Sequence, residues 1–455
     1  MGLIPGSRDK KGLMSTRFHP SDTLASWGRV VKATHLVARP RFTDELAGLL
    51  AAFSAAEPGL AVGLRRSYGD SNLNPGGRVI DMTALDRLIA FDRDTGVMRA
   101  EAGVSLSQAL QVLVPLGWFL PTTPGTRFVT LGGAVANDVH GKNHHAAGTF
   151  GASVTRLKLR RTDGSMHELA PGDPLFHATV GGLGLTGVIE WVEFRAVRIP
   201  SADLDAHDVS FEHVHEYFDM SAEAKNSHEH TMAWVDCSKG GSRLGRGILS
   251  LANWSPRGDL KPHHEGPKKK MPMDAPGFAL NAITVRAFNS IRHDLKTMRG
   301  GPYCTHYEPF LYPLDAIAHW NRLYGAKGFY QYQCALPSET ARAGTIELLN
   351  TIVASGQGSP LAVLKDFGAN PPVGLLSFPR EGTTLAIDFR NQDEDTLKLM
   401  ADLDRIVASA GGRLYPAKDG RIPAALFQSG FPKWQEFRAH VDPGLSSAFW
   451  RRVSA

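Results

Sequence analysis

The sequence predicts an α+β protein of more than one domain, on three observations. Between Leu60 and Val197 short apolar runs (LAVGL, RVIDM, VMRAEAG, VTRLKLRR, GVIEWVEFRAV) alternate with glycine-rich turns and one clear helical pattern, the mixture expected of strands and helices sharing a core. After Pro200 the composition turns acidic and histidine-containing, strand-like runs return at GFYQYQCALP and TTLAIDF, and ETARAGTIELLNTIVASG has the apolar spacing of a helix packed on a sheet. The 455 residues exceed the ~150 of a typical domain and are ample for a sizeable core.

The helical pattern of the first region is SLSQALQVLVPLG, in which Leu106, Leu110, Leu113 and Val114 share one face and Ser105 is the expected N-cap. A second helix is expected to start near Gly132. SPRGDLKPHHEGPKKKMPMDAPG, from Ser255 to Gly277, is polar and proline-rich and reads as a mobile linker. Its Lys268 to Lys270 run reads either as a solvated loop or as a contact for an anionic lipid headgroup or membrane surface. The last segment carries a turn, Lys418 and short amphipathic helices, and no internal repeat is present.

Composition excludes several classes. Lys plus Arg is 50 against 45 Asp plus Glu, a net charge of +5 that is spread along the chain, so no nucleic-acid partner is expected. With 47 glycines and 28 prolines the chain lies below the roughly 25% Gly plus Pro of low-complexity sequence. Cys237, Cys304 and Cys334 are widely spaced without a CxxC pair, which encodes neither a disulfide framework nor a metal site. MGLIPGSRDKKGLMSTRF lacks a signal-peptide core, and no stretch reaches the ~18 apolar residues of a membrane span. A cytoplasmic protein is expected, at most peripheral to the inner membrane.

Three glycine-bearing loops carry the chemistry of the first region: GLRRSYGD (Gly63 to Asp70), PGTRFVTLGGAVANDVHGKNHHAAG (Pro124 to Gly148) and VGGLGLTGVIE (Val180 to Glu190). Glycines let backbone N–H groups approach an anion closely. One such loop is better explained by a tight turn between strands, but three in one region, one of them holding His140, Lys142, Asn143, His144 and His145, point to a pyrophosphate cradle. No loop ends in Gly-Lys-Ser/Thr, and none is a strand–GxGxxG–helix unit.

The order of these elements resembles flavoproteins of the vanillyl-alcohol-oxidase (PCMH) type. Within that group RSYGD, VIDMT, PGTR, VHGKNHHAAGTFG, ATVGG, GLTG, WNRLYG, QYQ, LSFP, GGRLYPAKD and a late VDP are similar to the decaprenylphosphoryl-β-D-ribose 2′-oxidases, from about Phe18 onward. The resemblance implies a two-subdomain FAD-binding domain over 17–200, completed by a C-terminal segment 412–455. An inserted α+β substrate (cap) domain over 201–411 would contain the mobile loop near 255–277. It also implies FAD contacts at Gly63, Ser67, Tyr68, Pro124, Gly125, Thr126, Thr130, Gly132, Gly133, Asn137, His140, Gly141, Asn143, Gly148, Ile189 and Tyr415. Many relatives attach FAD through a His in the first loop; Arg66 stands there, so FAD is expected to be non-covalent. Arg65 replaces a usual glycine beside it.

By the same resemblance Lys418, Tyr68 and His140 are catalytic, and Lys142, Trp234, Gln333, Lys365 and Asp388 line the substrate side. The family cysteine attacked by covalent nitroaromatic inhibitors is matched by Ala386. The implied reaction oxidises the 2′-hydroxyl of a polyprenylphosphoryl-β-D-ribose to the 2′-keto sugar, the first half of an epimerisation to the arabinose precursor of cell-envelope polysaccharide. A separate NADH-dependent short-chain reductase is the implied partner, because no second dinucleotide cradle is present in the sequence. Lys418 either holds the sugar phosphate or helps remove the hydroxyl proton. An alditol or sugar-lactone oxidase acting on a soluble sugar is the alternative, against which QYQ and WNRLYG stand. Against a flavin- or partner-binding protein without turnover stand Lys418, Tyr68 and His140. Tyr68 and Tyr415 also suit ordinary domain-rim tyrosines, and His144 and His145 read as loop structure.

Overall fold

In the computed structural model, which describes residues 17–455, the early apolar runs form two sheets. The first has the spatial order His19–Ser21, His35–Ala38, Arg78–Asp81, Gly59–Val62, and its last three strands are parallel. The second is antiparallel, in the order Leu88–Phe91, Val97–Glu101, Val188–Arg195, Val154–Arg160, Met166–Leu169. Its central strand is the longest apolar run of this region and is buried on both faces over most of its length, which removes the need for polar alternation.

The helix Leu106–Leu113 starts where the sequence signals it: the Ser105 side chain accepts from the Gln108 amide, and the Gln108 side chain closes the capping box. Leu106, Leu110, Leu113 and Val114 are 0% exposed. A shorter helix, Leu131–Ala136, is capped by Thr130 and docks on the second sheet through the Gly132 amide, which donates to the Ala102 carbonyl at 2.8 Å. A Cβ on Gly132 would lie 2.9 Å from the Ala102 Cβ, so the close approach requires glycine.

The middle of the chain builds one antiparallel eight-stranded sheet: Gly301–His306, Asp203–Phe211, Gly247–Trp254, His230–Val235, Ala362–Phe367, Gly382–Arg390, Phe329–Pro337, Arg413–Leu414. Side chains alternate across it. Ala233, Val235, Leu364, Cys334, Leu336, Leu385 and Ile387 are buried in a core cluster on the side of the helices Val214–Ala224, Ser338–Ser355 and Glu394–Ser409. Each such Leu or Ile contributes about 2 kcal/mol by leaving water. The alternate residues Met232, Trp234, Val363, Lys365, Gln331, Gln333 and Ala386 face a cleft instead.

After Gly412 the chain adds the edge strand of this sheet, Leu414 pairing with Cys334. Only then does it reach the first loops: the Tyr68 amide donates to the Ala417 carbonyl at 2.9 Å, and the Gly59 amide to the Gly444 carbonyl at 2.9 Å. A Cβ on Gly69 would lie 1.5 Å from the Asp419 carbonyl oxygen, so the first glycine loop and the tail meet backbone to backbone. The tail thus stitches both halves of the molecule.

The stretch read as a mobile linker is docked at its middle. His263 is 3% exposed; its Nε2 bonds Ser107 Oγ at 2.7 Å, its Nδ1 bonds the Tyr307 hydroxyl at 2.6 Å, and its carbonyl accepts from Gln111 at 2.8 Å. Lys269–Lys270 pairs in parallel with Ile317–Ala318. Further along the stretch the Arg322 guanidinium donates to the Pro272 carbonyl at 2.7 Å and Arg29 pairs with Asp274 at 2.7 Å; polar, proline-rich composition hides these anchors because the partners lie far away in the sequence. Among the described residues no helix is long and apolar enough to cross a membrane, and no cluster of His, Cys, Asp and Glu fits a metal ion. Most of the N-terminal run read for a signal core lies outside the described residues.

Candidate active site

The glycine loops and the polar face of the eight-stranded sheet enclose a cleft of about 590 Å³, within the range of small-molecule and cofactor sites. Gly63, Ser67, Tyr68, Pro124, Gly125, Thr126, Thr130, Gly132, Gly133, Asn137, His140, Gly141, Ile189 and Tyr415 all border it. Asn143 and Gly148 do not. The Asn143 amide donates to the Pro121 carbonyl at 2.8 Å behind the wall, and Gly148, with φ +71°, ends the turn His144–Ala147.

Two features make this half a cradle. A Cβ on Gly125 would meet nothing within 4 Å, and one on Gly133 only Thr130 Oγ1 at 3.0 Å, so both open on the cleft. Ser71 Oγ and both amide atoms of Asn72 are buried there without a partner, and buried polar atoms of that kind call for a polar ligand. Ser71 and Asn72 escaped the sequence reading, although they directly follow SYGD. Arg65, where the family has glycine, takes the glycine conformation at φ +53° and borders the cleft, a strain of about 1 kcal/mol for a side-chain-bearing residue. The Arg66 guanidinium stacks on Trp27 at 4.2 Å.

Loop 140–145 divides its histidines. His140 borders the cleft, and its Nε2 accepts from Gln333 Nε2 at 3.0 Å, which leaves Nδ1 buried without a protein partner. Burial, reinforced by Lys365, holds His140 well below the usual histidine range, so it is neutral. His144 and His145 serve the loop: His144 Nδ1 accepts from the Gly368 amide at 3.2 Å, and His145 Nε2 bonds the His228 carbonyl at 2.9 Å.

Three lysines converge on the sheet side. Lys142 Nζ donates to the Leu311 carbonyl at 2.8 Å, and Lys418 Nζ stands 3.8 Å over the Tyr68 ring. Lys365 Nζ reaches the Gly141 carbonyl at 3.5 Å. Burial lowers Lys142 and Lys418 to about 7 and Lys365 to about 8, and the Lys365 charge depresses both of the others. Burial likewise pushes the Tyr68 phenol well above its usual range, with the Asp388 charge adding to it.

Trp234, Gln333, Lys142 and Lys365 border the cleft, and Asp388 stands one layer behind. Its carboxylate accepts from Gln331 Nε2 at 2.6 Å and from the Tyr324 hydroxyl at 3.2 Å, and burial raises it to about 7 against the pull of Gln331 and Lys418. Gln331 is the residue that fronts the cleft. The i, i+2 spacing in QYQ was the signal, since it puts both glutamines on one strand face.

Ala386 borders the cleft opposite Gln333, and Cys334 points into the core on the other face, where burial pushes its thiol up to about 12. Nitroaromatic compounds activated in this cleft are therefore expected to leave no covalent adduct on this strand or on Cys334. Mass spectrometry of the intact chain after turnover with such a compound checks this, and an adduct on either strand would contradict the assignment of the two faces.

Residues 34–170 match the FAD binding domain family. The chain is 36% identical to decaprenylphosphoryl-β-D-ribose oxidase of Mycolicibacterium smegmatis, over 94% of this chain and 97% of that protein. It is 30% identical to a protein of Streptomyces coelicolor from the mprA 5′ region, over 76% of this chain and 97% of that one. An alditol oxidase of a Streptomyces species is 27% identical over 37% of this chain and 40% of its own length. The cradle, with its open glycines and unpartnered Ser71 and Asn72, fits the cofactor that these matches require. The chain belongs to the decaprenylphosphoryl-β-D-ribose oxidase family and is an FAD-dependent oxidoreductase.

Proposed function

We propose that the enzyme oxidises the 2′-hydroxyl of a polyprenylphosphoryl-β-D-ribose to the 2′-keto sugar and hands the product to a separate NADH-dependent reductase. The observation that carries this reading is the lysine cluster. Lys142, Lys365 and Lys418 lie in one cleft wall, and among the described residues none forms an ion pair with a carboxylate. A buried amine cluster of this kind, with Lys365 at about 8 its most readily protonated member, calls for an anionic ligand beside it, which the phosphate of a sugar phosphate supplies and an uncharged alditol or lactone does not.

Bound FAD supplies the hydride acceptor; the chain supplies orientation and a proton path. Lys365, whose pKa is the highest of the three, holds the phosphate. Lys418 takes the hydroxyl proton, since burial has brought it to about 7, where its neutral amine is populated at physiological pH. Asp388, through Gln331, fixes the polar floor beside it. His140, neutral and fixed by Gln333, orients the reactants.

FAD is held without a covalent bond, because Arg66 packed on Trp27 occupies the position of the attaching histidine. Acid precipitation is expected to leave all yellow colour in the supernatant and none in the pellet. The purified enzyme with substrate and an electron acceptor is expected to accumulate ketosugar, with epimer appearing only after a reductase and NADH are added. Epimer formed by this chain alone would contradict the two-enzyme reading.

A further inference from the structure

The helix Ala282–Met298 is inverted relative to a helix that covers a core. Its inner face is narrow and partly polar: Val285, Asn289 and His293 are buried, Asn289 Nδ2 donates to Asp236 Oδ1 and to the Ser359 carbonyl at 3.0 Å, and Lys296 Nζ to Asp208 Oδ2 at 2.6 Å. Its outer face is apolar. Ile283 is 80% exposed, Phe288 50%, Ile291 60%, Leu295 48% and Met298 83%. At the α-helical repeat these five residues fall within one arc of roughly 140°. Met273 and Phe278, just before the helix, are exposed at 70% and 76%. A contiguous apolar face of this kind marks an interaction surface.

Charge and position select its occupant. Besides Arg292 and the Lys296 already paired inward with Asp208, the helix carries Arg286, with Arg299 just past its end, against the single acid Asp294. Arg292 turns inward over Trp234 at 4.7 Å and borders the cleft. On the same rim Pro267 borders the cleft, followed at once by the exposed Lys268, Lys269 and Lys270, and Ile317 and Ala318, the partners of the last two, border it as well. An apolar stripe flanked by cations, with the cations reaching around the mouth of a cleft, matches the boundary between the acyl chains and headgroups of an anionic bilayer.

We propose that Ala282–Met298 lies in the plane of an anionic lipid membrane, with Lys268–Lys270 on the headgroups, so that the cleft mouth opens onto the bilayer. The lipid-linked sugar then enters the site without its chain crossing water; that consequence rests on the substrate reading above, whereas the docking itself rests on the surface.

The test is co-sedimentation of the full-length, flavin-loaded protein with vesicles, in the absence of any sugar. The protein is expected to pellet with phosphatidylcholine vesicles containing phosphatidylglycerol, to pellet far less with pure phosphatidylcholine, and to be released by salt. Ile291→Glu with Leu295→Glu is expected to weaken partitioning by about tenfold or more, and replacing Lys268, Lys269 and Lys270 by Glu to abolish the preference for the anionic vesicles. Both variants are expected to keep full flavin content and wild-type flavin reduction by a short-chain, water-soluble substrate analogue. Wild-type protein that stays in the supernatant with both vesicle types would overturn the proposal. So would an Ile291→Glu, Leu295→Glu variant that pellets like the wild type, or one whose only change is a halved mass in light scattering, which assigns the face to a second copy of this chain. Because no sugar is present, failure here leaves the substrate reading standing, and failure of that reading leaves this result standing.

Discussion

Lys418→Ala is expected to lower the rate of flavin reduction by substrate by about 10²- to 10⁴-fold, the usual contribution of a positioned base, while flavin content stays near that of the wild type. The Lys418 backbone is set by its own amide donating to the Tyr415 carbonyl at 2.9 Å and by the neighbouring Ala417 carbonyl accepting from Tyr68, so truncation leaves the loop in place. Lys418→Arg distinguishes the two possible roles. A guanidinium remains charged and can hold a phosphate, but it cannot accept a proton, so no rescue is expected. The pH profile carries the same sign: Lys418 acts as the neutral amine and Lys365 as the cation, so kcat/KM should rise as pH passes about 7 and fall above about 8. Rescue by arginine, or a profile that only falls with pH, would make Lys418 a phosphate clamp.

Gly133→Arg is expected to abolish FAD binding, a loss of at least about a hundredfold in affinity, or ~3 kcal/mol. Gly133 lies in the short helix Leu131–Ala136 and borders the cleft. A Cβ there meets only Thr130 Oγ1, at 3.0 Å, so the backbone accepts a side chain, but the rest of that side chain fills the cradle. Gly133→Ala, which adds a single carbon, should retain most of the flavin. Visible absorbance of the purified variants, with circular dichroism to confirm folding, measures the difference; an arginine variant as yellow as the wild type would remove this helix from the cradle.

The fold class was legible because its signals are local. A capped amphipathic period announced Leu106–Leu113, and the apolar runs marked strands such as Val188–Arg195. The site was legible largely through resemblance, since the loops that form it lie at opposite ends of the chain: Tyr68 meets Lys418 only because the Arg413–Leu414 strand brings the tail between the eight-stranded sheet and the first glycine loop, and no periodicity reports that pairing. Asp388 was placed on the substrate side by resemblance, which carries over a position but not its depth; Gln331 stands in front of it. The contacts of the linker-like stretch were not legible because its anchors, among them Ser107 and Tyr307 on His263 and Arg29 on Asp274, lie far from it in the sequence. The apolar outer face of Ala282–Met298 had no sequence signature of its own: the same spacing describes a helix facing a core, and only the structure shows which way it turns.

The most direct measurement is anaerobic mixing of the purified yellow enzyme with a panel of sugars, followed by flavin absorbance. Polyprenylphosphoryl-β-D-ribose is expected to bleach the flavin rapidly, with the 2′-keto sugar recovered as product, while alditols and sugar lactones leave it oxidised. Bleaching by an alditol or lactone without bleaching by the phosphorylated lipid sugar would contradict the assignment of the lysine cluster to a phosphate, and with it the proposed function.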